Sequence, residues 1–127
     1  VEALLQQSSL KNEWLRCRDY IVASVKHQDL YSIEDIEGKI ENGTFQFWPG
    51  KQSAFITEIS RFPQKTVLNL IFCGGDYKEL ESMLPVLEEF GRRCGATQIF
   101  GGGRPGWLRK IKHLGFKSEH LISKEIL

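Results

Sequence analysis

The sequence predicts an α/β (α+β) domain built on one mixed sheet, with elements in the order α-α-β-β-β-α-β-α-β. Three observations carry this reading. Apolar residues recur at three- and four-residue steps in several stretches, as amphipathic helices require. Between Thr44 and Cys73, three strand-like runs are joined by short turn-rich links, so they form an antiparallel meander. Lys65–Gly75, KTVLNLIFCGG, is almost unbroken apolar sequence that ends on two glycines and feeds a helical pattern. Such a run suits a central strand covered on both faces.

Taken in order, Leu10, Trp14, Cys17, Ile21 and Val25 define a first helix to about Lys26, with Val1–Leu5 as an extra turn or loose end. Ser32 with Asp35 resembles a capping box, and the short helix after it buries Ile33, Ile36 and Ile40 before stopping at Asn42-Gly43. Thr44–Trp48 alternates, placing Phe45 and Phe47 on one face. Pro49-Gly50-Lys51-Gln52 turns the chain into Ser53–Ile59, and Arg61-Phe62-Pro63-Gln64 leads to Thr66–Cys73. From Asp76, a natural N-cap, to Cys94 the pattern is helical, with Leu80, Met83, Leu84, Leu87 and Phe90 inward. Pro85 inside this run predicts a kink or a restart. Ala96–Phe100 follows through a helical crossover and is therefore parallel to Thr66–Cys73. Trp107, Leu108, Ile111 and Leu114 form the stripe of a last helix, and Phe116–Ile126 is read as a final strand.

At 127 residues the chain is a single domain, 1–127, large enough for a true core. A net charge of +1 argues neither for nor against nucleic acid, and the late basic cluster from Arg92 to Lys117 lacks interleaved aromatics, so solvated helix faces are expected there. Cys17, Cys73 and Cys94 are an odd number without a C-x-x-C pair, which fits a reducing compartment and argues against a disulfide framework or a zinc site. No run approaches the roughly 18 apolar residues of a membrane span, and no signal-peptide pattern is present. The start at Val1 reads as processed or trimmed, and a cytoplasmic location is expected.

Several residues carry chemical meaning. Gly74 and Gly75 permit either a tight turn or close approach of a ligand, and the helix beginning beside them aims its N–H groups at the same place. Asp76 is most simply a cap. Gly101–Gly103 with Arg104 offers a second anion cradle, against the alternative of a surface loop. Glu58 is the one carboxylate in an otherwise apolar strand and shares a face with Ala54 and Ile56; it suits a general base, against the alternative of an edge carboxylate paired to a cation. Cys73 is a nucleophile by type, though a small buried apolar residue by habit. His27, His113 and His120 show no triad or metal spacing, and Trp48 and Trp107 are pocket walls or core.

The element order, with glycines after the central strand and a late helix ending in L-G-F, resembles the GCN5-related N-acetyltransferase (GNAT) fold over nearly the whole chain. S-A-F-I-T-E-I at 53–59, C-G-G at 73–75 and G-R-P-G-W-L-R-K-I-K-H-L-G-F at 103–116 resemble the small acetyltransferase-like proteins of tailed phages and prophages. The resemblance implies that two parallel strands splay apart after the central strand and that acyl-coenzyme A enters the gap. Its pantetheine arm would bond the exposed strand edge and its pyrophosphate the next helix. Carried onto this chain, the cofactor-binding residues are Leu70, Phe72, Cys73, Gly74, Gly75, Tyr77, Gly103 and Arg104, with Glu58 catalytic and no metal required.

Departures from the family pattern are specific. In place of the usual R/Q-x-x-G-x-G/A loop stands Cys73-Gly74-Gly75-Asp76-Tyr77, with no Arg and with an Asp where phosphates would lie. The position of the usual proton-donating Tyr is Ile111, and that of the usual Asn is Arg104. Two readings follow. One is an acyl-CoA-dependent N-acyltransferase in which a substrate amine attacks the thioester directly, with acetyl-CoA as cofactor. The other is a catalytically inactive GNAT-fold module, virion-associated or host-interacting, whose partner is a phage or host protein. Host cytoplasm or virion is the location expected of a phage-encoded protein.

Overall fold

The computed structural model describes residues 8–102, 105–119 and 121–127. Helix α1 spans Ser8–Val25, and α2 spans Ile33–Glu41. Strands β1 (Phe45–Pro49), β2 (Ser53–Arg61) and β3 (Thr66–Gly75) follow, then α3 (Tyr77–Arg93), β4 (Ala96–Gly101) and α4 (Pro105–Ile111), which passes into a 3-10 turn at Lys112–Leu114. The sheet has four strands in the order β1-β2-β3-β4. The first three are antiparallel, and β4 is parallel to β3.

The local chemistry explains the boundaries. Ser32 and Asp35 form the reciprocal capping box that starts α2: the Asp35 N–H donates to Ser32 Oγ (3.1 Å) and the Ser32 N–H to Asp35 Oδ2 (2.8 Å). Gly43 then takes φ 82°, the left-handed turn predicted for Asn42-Gly43. Asp76 caps α3 by accepting the Glu79 N–H at 2.9 Å. The helix continues through Pro85 without a restart, its register held by Leu80, Leu84 and Leu87 packed on the sheet. The turns on either side of β2 are closed by the Gly50 N–H donating to the Ser53 carbonyl (2.8 Å) and the Phe62 N–H donating to the Lys65 carbonyl (2.9 Å).

Two apolar layers cover the sheet. On one face α1 and α2 pack Trp14, Cys17, Ile21, Ile36 and Ile40 against Phe45, Ala54, Ile56 and Phe72. On the other, α3 packs Leu80, Leu84 and Leu87 against Phe55 and Leu68, with Trp107, Ile111 and Phe116 joining from the α4 side. Trp14 also donates its indole N–H to Glu37 Oε2 (2.7 Å), and Arg18 reaches the same oxygen at 3.0 Å, so a polar pair ties α1 to α2. Among the described residues no helix is long and apolar enough to cross a membrane.

The final strand expected at Phe116–Ile126 is not formed. Residues 116–119 and 121–127 have no regular structure, and Leu121, Ile122 and Ile126 are more than 90% exposed. Apolar residues suggest a strand there, but without a ladder partner or a buried face they do not make one.

Candidate active site

The site is built by one extra residue in β3. Along the β2–β3 ladder Ile56 pairs with Phe72 and Thr57 with Leu70, leaving Ile71 without a partner. This is a β-bulge, and it bends the strand that carries it. Faces confirm the count: Leu70 and Cys73 pack on the α3 side, whereas the consecutive Ile71 and Phe72 both pack on the α1 side. The parallel β3–β4 ladder ends at the same place, with Leu70 opposite Gly101. β3 runs on to Gly75 while β4 stops at Gly101, so the β3 edge from Ile71 to Gly75 has no strand beside it on that side. Main-chain groups along such an edge need partners from water or a ligand.

Glu58 sits beside this bulge. In register, Phe45, Glu58, Asn69 and Phe100 lie in one row across all four strands, on the face that α1 and α2 cover only in part. Glu58 is half-buried and has no hydrogen-bond or ion-pair partner among the described residues. Asn69 donates its amide to Ser60 Oγ, and the Lys65 ammonium lies 5.6 Å from the Phe100 ring centre. A carboxylate, an amide and an aromatic residue therefore stand in one row across neighbouring strands, just before the open edge.

The glycine pair has a protein-packing reason. A Cβ on Gly74 would stand 2.2 Å from the Tyr20 carbonyl oxygen in α1. Gly75 has φ 109°, and a Cβ there would stand 2.3 Å from the Gln52 carbonyl oxygen. Both glycines are required by their neighbours on the α1 and β2 sides. The connection to α3 is then a single residue, Asp76, whose N–H donates to the Gln52 carbonyl at 2.9 Å.

The first turn of α3 is closely held. Glu79 Oε1 accepts from the Gln52 N–H (2.8 Å) and from Ser53 Oγ–H. The Ser53 bond first, and the Gln52 N–H second, keep the Glu79 carboxyl below the usual carboxylate range. On the other flank the Tyr77 ring meets Trp107 at 5.5 Å and the Lys110 ammonium at 4.7 Å. The Tyr77 hydroxyl bonds Glu81 Oε2 (2.6 Å) and the Lys110 carbonyl (3.0 Å), and the Glu81 bond pushes its pKa up to about 12.

Cys73 lies in the α3-side cluster, where burial pushes its thiol up to about 11, so it is a neutral packing group near pH 7. Ile111, also in that cluster, has no proton to give. Gly103 and Arg104, expected to cradle an anion, lie outside the described residues. Among the described residues there is no metal-binding cluster. Two cavities flank α3, one of about 460 Å³ beside Trp48 and Phe90 and one of about 360 Å³ beside Ile99 and Phe116. Neither is lined by a β3 residue.

Comparison with solved structures decides the fold. The chain superposes on an aminoglycoside N-acetyltransferase in complex with CoA with a TM-score of 0.68 at 10% identity, covering 95% of this chain and 91% of that one. The fold is that of the GNAT acetyltransferases. A probable acetyltransferase gives 0.66 at 11% identity over 93% of this chain and 92% of that one. The Trypanosoma brucei acetyltransferase gives 0.62 at 12% identity over 86% and 89%. No family model and no curated protein sequence matches the chain. In GNAT terms, β3 and β4 are the parallel pair of the mixed sheet.

Sequence reasoning missed Ile71, Asn69 and Glu79. A strand buried on both faces reads as a continuous apolar run, which hides an inserted residue. Asp76-x-x-Glu79 has the spacing of a capping box, but nothing local signals that Glu79 turns toward Ser53 instead.

Proposed function

We propose that this protein is an acyl-CoA-dependent N-acyltransferase, with acetyl-CoA as donor and an amine as acceptor. The observation that carries the reading is the unpaired β3 edge from Ile71 to Gly75, opened by the bulge beside Gly101. An extended amide-bearing arm can add to that edge as a further strand would, through main-chain hydrogen bonds. A structural neighbour is an aminoglycoside N-acetyltransferase bound to CoA, which supports the same donor class here. Another is an aminoglycoside acetyltransferase in complex with sisomicin, which supports an amine acceptor.

The amine nitrogen attacks the thioester carbonyl carbon; the C–N bond forms as the C–S bond breaks. Glu58, or a water it holds, takes the proton lost by the amine. Strand-edge N–H groups polarise the carbonyl, and most of the acceleration comes from holding the two reactants together. Ile111 cannot protonate the departing thiolate, which takes its proton from solvent. The strings at 53–59, 73–75 and 103–116 support a phage or prophage type.

Melting the protein with acetyl-CoA tests the reading: a clear rise is expected, and no shift at millimolar donor contradicts it. Glu58→Gln should abolish turnover and leave that rise intact. Retained turnover would remove Glu58 from the mechanism. Ile111 favours one alternative, an inactive module of the same fold that serves as a virion-associated or host-interaction protein; binding without turnover for any amine would support it.

A further inference from the structure

We propose that this protein recognises its acyl donor through the pantetheine arm alone, and that the first turn of α3 turns the nucleotide end away. The inference rests on the acyltransferase reading above and narrows its donor chemistry. A pyrophosphate at a helix N-terminus needs free N–H donors, a flexible glycine cradle and no competing negative charge. The first turn of α3 leaves two such donors, the Tyr77 and Lys78 N–H groups, and supplies neither of the other two features.

Two donors are spent: the Asp76 N–H bonds the Gln52 carbonyl and the Glu79 N–H bonds Asp76 Oδ2, each at 2.9 Å, which leaves the Tyr77 and Lys78 N–H groups. The glycines are used for packing, their Cα positions set against the Tyr20 and Gln52 carbonyls with no room for a Cβ. The connection from Gly75 to Tyr77 is one residue long, too short to wrap two phosphates. Two carboxylates already answer the positive end of the helix, Asp76 as its cap and Glu79 pinned to Gln52 and Ser53. The opposite flank is filled by the Tyr77 ring, with Trp107 and Lys110 laid against it. Lys110, a cation on this flank, is already engaged with the Tyr77 ring, and its carbonyl accepts from the Tyr77 hydroxyl. The β3 edge remains free for an uncharged arm.

Calorimetric titration with acetyl-CoA and with S-acetyl-pantetheine, which lacks the nucleotide, tests this directly. The two dissociation constants should agree to within about threefold, or acetyl-CoA should bind more weakly. Asp76→Asn, which retains a capping side chain, should tighten acetyl-CoA about fivefold and leave S-acetyl-pantetheine unchanged. Acetyl-CoA binding tenfold or more tightly than S-acetyl-pantetheine would overturn the inference and leave the acyltransferase reading standing. If Arg104→Ala then abolished that preference, phosphate recognition would move to Gly103–Arg104. Failure of both thioesters to bind would overturn the inference and the reading together.

Discussion

Leu70 is the last residue of β3 that pairs with β4, and its partner Gly101 is the last residue of β4. The unpaired Ile71 follows immediately. Because Ile71 and Phe72 lie on the same face, removing Ile71 restores a regular ladder without moving Phe72 or Cys73 to the wrong side. Deletion of Ile71 should therefore give a folded protein, less stable by about 1–3 kcal/mol for the lost packing. Its melting temperature should no longer rise with acetyl-CoA. A rise equal to that of the parent protein would separate donor binding from the bulge.

Gly74→Ala should destabilise the fold, because the new methyl would stand 2.2 Å from the Tyr20 carbonyl oxygen and α1 cannot yield locally. The expected cost in a urea titration is about 1–3 kcal/mol. Gly102→Ala is the control: nothing lies within 4 Å of its added Cβ, and a change within roughly 0.5 kcal/mol is expected. Equal effects at the two positions would contradict the packing account of the glycine pair.

Acid should loosen the contact between the β1–β2 turn and α3. Glu79 has its carboxyl lowered from an ordinary value of 4.5 by Ser53 and then by Gln52, so its ionised form is favoured in the folded state. The stability it contributes is fully present above that ordinary value and is lost as pH falls through the lowered one. A series of melts between about pH 6 and pH 2.5 should show Glu79→Gln falling less steeply than the parent protein. Parallel curves would mean that Glu79 is not held as described.

Cys73 should resist alkylation in the native protein. With its thiol pushed up to about 11, only about one molecule in a thousand carries the thiolate at pH 8. Iodoacetamide followed by peptide mass analysis should find Cys73 unmodified until denaturant is added. Rapid modification of the folded protein would return Cys73 to consideration as a nucleophile.

Much of this fold could be read from sequence because its local signals agreed with one another. The Ser32–Asp35 box, the Asn42-Gly43 turn, the short links of the meander and the Asp76 cap each bounded an element where the chain places it. The strand expected at Phe116–Ile126 failed because apolar residues alone say nothing about whether a partner edge exists. Glu58 stands out in the sequence because a carboxylate interrupts an apolar strand, and its row with Asn69 and Phe100 follows from a register only coordinates supply. The glycine pair read as either a tight turn or a place of close ligand approach. That the approaching groups are Tyr20 and Gln52 depends on tertiary packing between distant segments.

Backbone amide spectra recorded while titrating acetyl-CoA examine the open β3 edge most directly. The largest shifts, with slowed hydrogen exchange, are expected at Ile71–Gly75 and Gly101–Gly102. Saturable binding that leaves those amides unmoved, and instead perturbs Val86–Phe90 beside the α3 cavities, would contradict the account.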